Sequence, residues 1–158
     1  EQVDVAALIR EVSDLVQPQA AGKLLDLRVT LPVQMAPILA GRTGLRQVLL
    51  NLLGNAIKHT STQGQVLLRV EDEGAQLKFS VQDTGLAIAS EARSKVFQRD
   101  AEPEGRGRSS IGLYVAKQII EAHRGVIWFE SEPGKGTVFH FTLPKDPTQG
   151  AVEEGKGA

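Results

Sequence analysis

The stretch Asn51-Leu-Leu-Gly-Asn55-Ala-Ile-Lys58-His59 lies in a run from Leu45 to about His59 where apolar residues recur at helical spacing. These are Leu45, Val48, Leu49, Leu52, Leu53, Ala56 and Ile57. Asn51, Asn55, Lys58 and His59 fall at i, i+4, i+7 and i+8, so on a helix they share one face beside the apolar seam. An amide oxygen is a hard ligand suited to Mg²⁺, which takes few protein ligands and keeps most of its waters. An ammonium supplies a point charge for phosphate. A plain solvated face has the same spacing, and this helix alone does not choose between the two.

Towards the N-terminus, Val5, Leu8, Ile9, Val12, Leu15 and Val16 predict an amphipathic helix that stops before Pro18. Leu25, Leu27, Val29 and Leu31 alternate as a strand ending at Pro32, with a second short strand at Ile38 and Leu39. Towards the C-terminus, Gln65 to Val70 and Leu77 to Val81 read as strands joined by a turn at Glu73-Gly74. Ser90 to Phe97 reads as a short helix with Ser90 as its N-cap. Periodicity fails over QRDAEPEGRGRSS, residues 98–110, as expected of a functional or mobile loop. It resumes with Ile111, Leu113, Val115, Ala116, Ile119 and Ile120, and Gly125 is the expected C′ residue. Val126 to Ser131 and Thr137 to Leu143 form a hairpin around Pro133-Gly134-Lys135-Gly136. The pattern predicts an α+β domain over 1–144, with five or six strands, and a disordered tail over 145–158 that has little to bury.

Bulk properties narrow the function. A chain of 158 residues suits one domain with a real core. The formal charge of −1 gives no basic field for nucleic acid or an anionic membrane, so an anionic ligand needs local groups. With no cysteine, disulfides, thiolate metal sites and thiol catalysis are excluded. No apolar run approaches a membrane span, and Glu1 to Val5 does not read as a signal peptide. A cytoplasmic fragment of a longer protein is the expectation, and that parent could itself be membrane-anchored.

Two further motifs bear on chemistry. Asp83-Thr-Gly85-Leu-Ala87-Ile88 places a carboxylate at a strand end before a tight turn. The carboxylate can accept from an exocyclic amine, and the glycine lets backbone approach a flat ring. An Asx-type turn would look the same. Arg108-Ser109-Ser110-Ile-Gly112-Leu113 opens a loop into a helix whose first N–H groups suit a phosphate tail, unless the serines act only as a cap.

The order of these motifs, closing with Gly134 to Thr137, resembles the histidine-kinase branch of the ATPase superfamily that includes gyrase, heat-shock chaperones and mismatch-repair ATPases. Asn51 to His59 resembles its N box, Asp83 to Ile88 its first glycine box, Val96-Phe97 the start of its F box, and Ser110 to Leu113 its second glycine box. The resemblance covers about Val3 to Pro144. It implies a Bergerat-type two-layer α/β sandwich: a mixed sheet covered on one face by helices, with a flexible ATP lid over 98–110.

The resemblance also implies roles. Asn51, Asn55 and Lys58 would be catalytic, with Asn55 holding Mg²⁺, Asn51 assisting at the phosphates and Lys58 neutralising their charge. His59 would lie beside the adenine, Asp83 would bond its amino group, and Gly85, Ala87 and Ile88 would form the turn beneath it. Arg106, Arg108, Ser109, Ser110, Gly112 and Leu113 would line the phosphates. The implied activity is transfer of the ATP γ-phosphoryl group to a histidine on a separate dimerisation and phosphoacceptor hairpin, with a response regulator receiver domain as further partner and neither nucleic acid nor membrane contacted. Hydrolytic members carry Glu where this chain has Asn51, which favours a kinase over a hydrolase. His59, His123 and His140 are not in the context of a phosphoacceptor.

The chain departs from the pattern at Ala87, Arg108 and Ser110, which stand at glycine positions, at Asp100 in place of the second Phe, and at Gly41 where Asp is usual. These departures leave an alternative: a degenerate pseudokinase that docks to a partner kinase or response regulator.

Overall fold

A computed structural model describes residues 1–98 and 110–149. In chain order the elements are β1 (Gln2–Val3), α1 (Val5–Gly22), β2 (Asp26–Thr30), β3 (Ile38–Leu39) and α2 (Arg42–His59). There follow β4 (Gln65–Asp72), β5 (Gln76–Asp83), a 3₁₀ helix (Ser90–Lys95), α3 (Ser110–Ala122), β6 (Val126–Glu132), β7 (Gly136–Pro144) and a short 3₁₀ turn (Pro147–Gln149). The five-stranded sheet has the order β2-β4-β5-β7-β6. Among the described residues only β2 and β4 run parallel, and α2 lies in the crossover between them. The other pairs are antiparallel, so the sheet is mixed, as expected.

Alternation along the strands builds the core. Val66, Leu68 and Val70 of β4, Leu77, Phe79 and Val81 of β5, and Phe139, Phe141 and Leu143 of β7 are all buried. Phe79 and Phe141 face each other across the β5–β7 ladder and stack with ring centroids 4.5 Å apart. The helices contribute Leu8, Ile9 and Val12, then Leu45, Leu49, Leu52 and Leu53, then Leu113, Ala116 and Ile120. The opposite sheet face carries Arg69, Lys78, Ser80, Trp128 and His140.

Several boundaries differ from expectation. Helix α1 does not stop at Val16 but runs through Pro18 to Gly22. Proline removes the bond to the carbonyl of Asp14, but both residues lie on the exposed face, where water satisfies that carbonyl. Buried Ala20 holds the last turn on the core. Both α1 and α3 end in paired hydrogen bonds around a left-handed residue, and in neither is that residue glycine. Leu24 (φ 57°) ends α1, with Leu25 N–H bonded to the Ala20 carbonyl; Arg124 (φ 64°) ends α3, with Gly125 N–H bonded to Ile120. Gly125 is therefore one position beyond C′, and a Cβ there would collide with the Thr142 carbonyl of β7. Ser90 is not the cap of its helix: Ala89 holds that position, without a side-chain bond. The strand β1, not foreseen, is too short for any periodicity to reveal. Lys145, grouped with the tail in the sequence reading, is in contact with the fold. Lys145 donates its N–H to Ala75, accepts from Leu39 N–H and pairs with Asp72 at 2.8 Å.

Candidate functional site

Helix α2 presents its polar residues at graded depth. Asn55 is only 6% exposed, and neither its Oδ1 nor its Nδ2 meets water or any hydrogen-bond partner among the described residues. A buried carboxamide left unpaired costs about 1–3 kcal/mol, so its presence among the buried residues of α2 points to a ligand that completes it. Asn51 is half-buried and fully engaged: its Nδ2 donates to the Gly112 carbonyl of α3 at 2.9 Å, and its Oδ1 accepts from Gln47 Nε2 at 2.7 Å. Lys58 is exposed.

The end of α2 is capped from several directions. Lys23 Nζ donates to the carbonyls of Ile57 and Lys58 at 2.8 and 3.0 Å. The Thr60 hydroxyl donates to the Ala56 carbonyl at 2.6 Å. An ammonium at the negative pole of a helix is favourable, and the sequence alone offered no sign that Lys23 would reach it from α1. The carbonyl of His59 abuts Gly85, where a Cβ would collide with it. Glycine at 85 is thus required by the approach of α2's last residue, a reason distinct from the approach of a flat ring expected from the sequence.

Asp83 ends β5 at 1% exposure, and its Oδ1 accepts the Gly85 N–H at 2.8 Å. The Asx turn and the burial occur together, so the two readings of this motif are not exclusive. Across the ladder Asp83 is paired with Val66 on one side and Thr137 on the other. Ala87 is half-buried and Ile88 buried, its N–H donating to Ser131 Oγ at 2.8 Å. Val96 is buried, and Phe97 packs edge-on against Phe129 and Phe139 at 6.0 Å.

The first turn of α3 reaches α2 through Gly112, where an added Cβ would be in ordinary van der Waals contact with Asn51, and Leu113 anchors that turn in the core. At the other end of this antiparallel pair, Gly41 N–H donates to His123 Nε2 at 2.9 Å, and His123 Nδ1 lies 2.9 Å from the Ile119 carbonyl. An acceptor at Nε2 requires the proton at Nδ1, so the ring bridges both helices as a neutral tautomer. A Cβ at Gly41, which stands where Asp is expected, would be in ordinary van der Waals contact with that ring.

The geometry therefore gathers Asn51, Asn55, His59, Asp83, Gly85, Ile88, Gly112 and Leu113 along the seam between α2, the β5 turn and α3. Arg106, Arg108, Ser109, Asp100 and nearly all of the expected lid lie outside the described residues, as does the side chain of Ser110. Reading the sequence missed Ser131 and Lys23, and named Thr137 only as the end of the closing glycine-containing motif. Ser131 and Thr137 are small hydroxyls within a strand pattern, and their burial was the missing signal. Among the described residues no group of His, Asp or Glu assembles as a metal cluster, so a cation here depends on Asn55 and on its ligand. No described helix is long and apolar enough to cross a membrane.

Comparison with known proteins bears on the fold and the family. The family model described as histidine kinase-, DNA gyrase B- and HSP90-like ATPase matches residues 40–147. The chain is 37% identical over 150 residues to an adaptive-response sensory kinase SasA of a Synechococcus strain, covering 90% of this chain and 39% of that protein. It is 39% identical over 126 residues to the SasA of Microcystis aeruginosa, covering 77% of this chain and 33% of that one. The chain thus spans about two-fifths or less of the curated relatives it matches. Among solved structures, the catalytic domain of histidine kinase ThkA superposes with a TM-score of 0.85 at 31% identity, covering 94% of this chain and 97% of that one. Full-length ShkA in complex with AMPPNP gives 0.81 at 34%, covering 91% and 30%. Nothing in these relatives supports the degenerate alternative.

Proposed function

The chain belongs to the family of histidine kinase-, DNA gyrase B- and HSP90-like ATPases, and from that premise we propose that it is the nucleotide-binding catalytic domain of a sensor histidine kinase. The observation that carries this reading is the buried carboxamide of Asn55, unpaired among the described residues, one helical turn from Asn51 on the helix whose last residue, His59, abuts Gly85 of the Asp83 turn. ATP lies between α2, the β5 turn and the start of α3. Asp83 accepts from the adenine amino group; Ile88 and Gly85 support the ring. Asn55 Oδ1 is the protein ligand for Mg²⁺, which supplies charge neutralisation at the phosphates. Lys58 adds an ammonium there, and Arg106, Arg108 and Ser109 contribute donors from the loop.

Asn51 cannot take a proton from water, and its donor is committed to Gly112. Phosphoryl transfer is largely positioning and charge stabilisation, so the acceptor is a histidine that brings its own nucleophilic nitrogen on a phosphoacceptor hairpin. ThkA has been solved in complex with the response regulator TrrA, in a structure that matches 94% of this chain with a TM-score of 0.81; a receiver domain is the matching partner proposed here. The domain acts in the cytoplasm.

The test is a pair of measurements. Calorimetric titration with ATP, with and without Mg²⁺, should show binding that tightens with the cation. Incubation with labelled ATP should leave the domain unlabelled and release phosphate slowly, while addition of a phosphoacceptor hairpin in trans should label that hairpin. Absence of any ATP binding, or brisk hydrolysis by the domain alone, overturns the reading.

A further inference from the structure

Ser131 lies on β6, outside every motif singled out in the sequence, and is 6% exposed. Its hydroxyl joins segments remote in the chain. Oγ accepts the N–H of Ile88 at 2.8 Å and lies 2.8 Å from Thr137 Oγ1, with the Gly136 carbonyl at 3.4 Å. Its carbonyl accepts from the guanidinium of Arg93, which also sits over the Phe129 ring. Ile88 is 5% exposed, so no water can replace the acceptor its N–H finds on Ser131.

The same hairpin tip fixes the other end of the turn. Thr137 is the ladder partner of Asp83, and Gly136 (φ 81°) lies so close to the Asp83 carbonyl that a Cβ would collide with it. The turn from Asp83 to Ile88 is thus held at its start by Gly136 and Thr137 and at its end by Ser131. Between those anchors Asp83 Oδ1 accepts the Gly85 N–H, and Thr84 is tied to Gln65 of β4, its Oγ1 accepting the Gln65 N–H at 3.0 Å and its own N–H donating to the Gln65 carbonyl.

We propose that Ser131 is a positioning residue for base selection: through Ile88 it holds the floor of the turn at the height where Asp83 meets an adenine amino group. The inference rests on the nucleotide reading above. Without the hydroxyl, the buried Ile88 N–H loses its acceptor and the turn shifts to find another. The base then sits differently against Asp83, while the phosphates and Asn55, on α2 and α3, are untouched.

The experiment uses Ser131→Ala in the full chain. ATP, ADP and adenosine should all weaken by about tenfold, the loss of roughly one hydrogen bond, and the preference for ATP over GTP should narrow. The factor by which Mg²⁺ tightens ATP should stay that of the parent. Lower thermal stability with parental affinity and parental ATP/GTP preference, measured well below the transition, would mean a structural role only and overturns the proposal. A parent that binds no adenine nucleotide overturns the nucleotide reading and this inference together, whereas a selective parent matched by its variant overturns this inference alone. Amide exchange in the parent provides an arm independent of the variant's folding. The Ile88 N–H should be protected without nucleotide, and exchange at the rate of an open loop would refute the anchor.

Discussion

Asn51 Nδ2 donates to the carbonyl oxygen of Gly112 at 2.9 Å, tying the middle of α2 to the first turn of α3 across 61 positions of sequence. The position where hydrolytic relatives are expected to carry a carboxylate base is here a donor, and that donor holds two helices together. Asn51→Asp replaces it with an acceptor facing the carbonyl. The expected outcome is a loss of about 1–2 kcal/mol of stability, read as a lower midpoint in urea unfolding, with no gain in phosphate release. An unchanged midpoint would show that the bond does not form in solution.

Asn55→Ala should remove most of the Mg²⁺-dependent part of ATP affinity with little cost to stability. Truncation leaves a small cavity but also deletes a buried carboxamide that has no partner among the described residues, and the two effects oppose each other. Calorimetry and a thermal scan on the same sample check both. Equal Mg²⁺ dependence in variant and parent rules out Asn55 as ligand.

Asp83→Asn keeps an oxygen at Oδ1 for the Gly85 N–H, so the turn should survive. What changes is the charge and the second acceptor. ATP should bind better than GTP in the parent by about tenfold or more, since a carboxylate facing a carbonyl loses its partner, and the variant should blunt that preference. Competition titrations with both nucleotides measure it; a parent that does not discriminate contradicts the assignment.

Gly85→Ala tests packing at the heart of the site. The added methyl would meet the carbonyl of His59, and backbone cannot swing away as a side-chain tip can. A loss of about 1–3 kcal/mol is expected from overpacking, together with weaker nucleotide binding because α2 and the turn separate. Unchanged thermal stability would be incompatible with this contact.

His140 gives a pH signature. Burial holds its pKa below the ordinary 6.5, outweighing the hydrogen bond to Glu130, which raises it; Lys78 lowers it and Glu71 raises it by charge. Nδ1 is 2.8 Å from Ser80 Oγ, and the ring stacks on Trp128. The unfolded chain therefore takes up a proton at a pH where the folded one does not. The stabilisation from a neutral His140 is present above 6.5 and is lost as pH falls from there through the depressed folded value. Replacing His140 with Gln should flatten stability against pH in that window, by comparison with the parent. Parallel curves for the two proteins would remove His140 as the source.

The sequence by itself determined the long helices, the order of the strands in the chain and the α+β class, and it put forward Asn51, Asn55 and Asp83 as candidates for the proposed site. Those features are local: helical and strand periodicity are written within ten or so residues, and each motif lies within a single element and its flanking turn. Tertiary structure alone decided the rest. Pro18 stays inside α1 because Ala20 is buried and the carbonyl it orphans faces water. Leu24 and Arg124, not glycines, take the left-handed ends because β2 and β6 must leave their helices there. Gly85 and Gly125 are needed by carbonyls 26 and 17 positions away, of His59 and Thr142. Ser131 and Lys23 acquire their roles from Ile88, Ile57 and Lys58, all distant in the chain. A close approach or a hydrogen bond between remote segments depends on how sheet and helices stack, and no pattern within either segment records it.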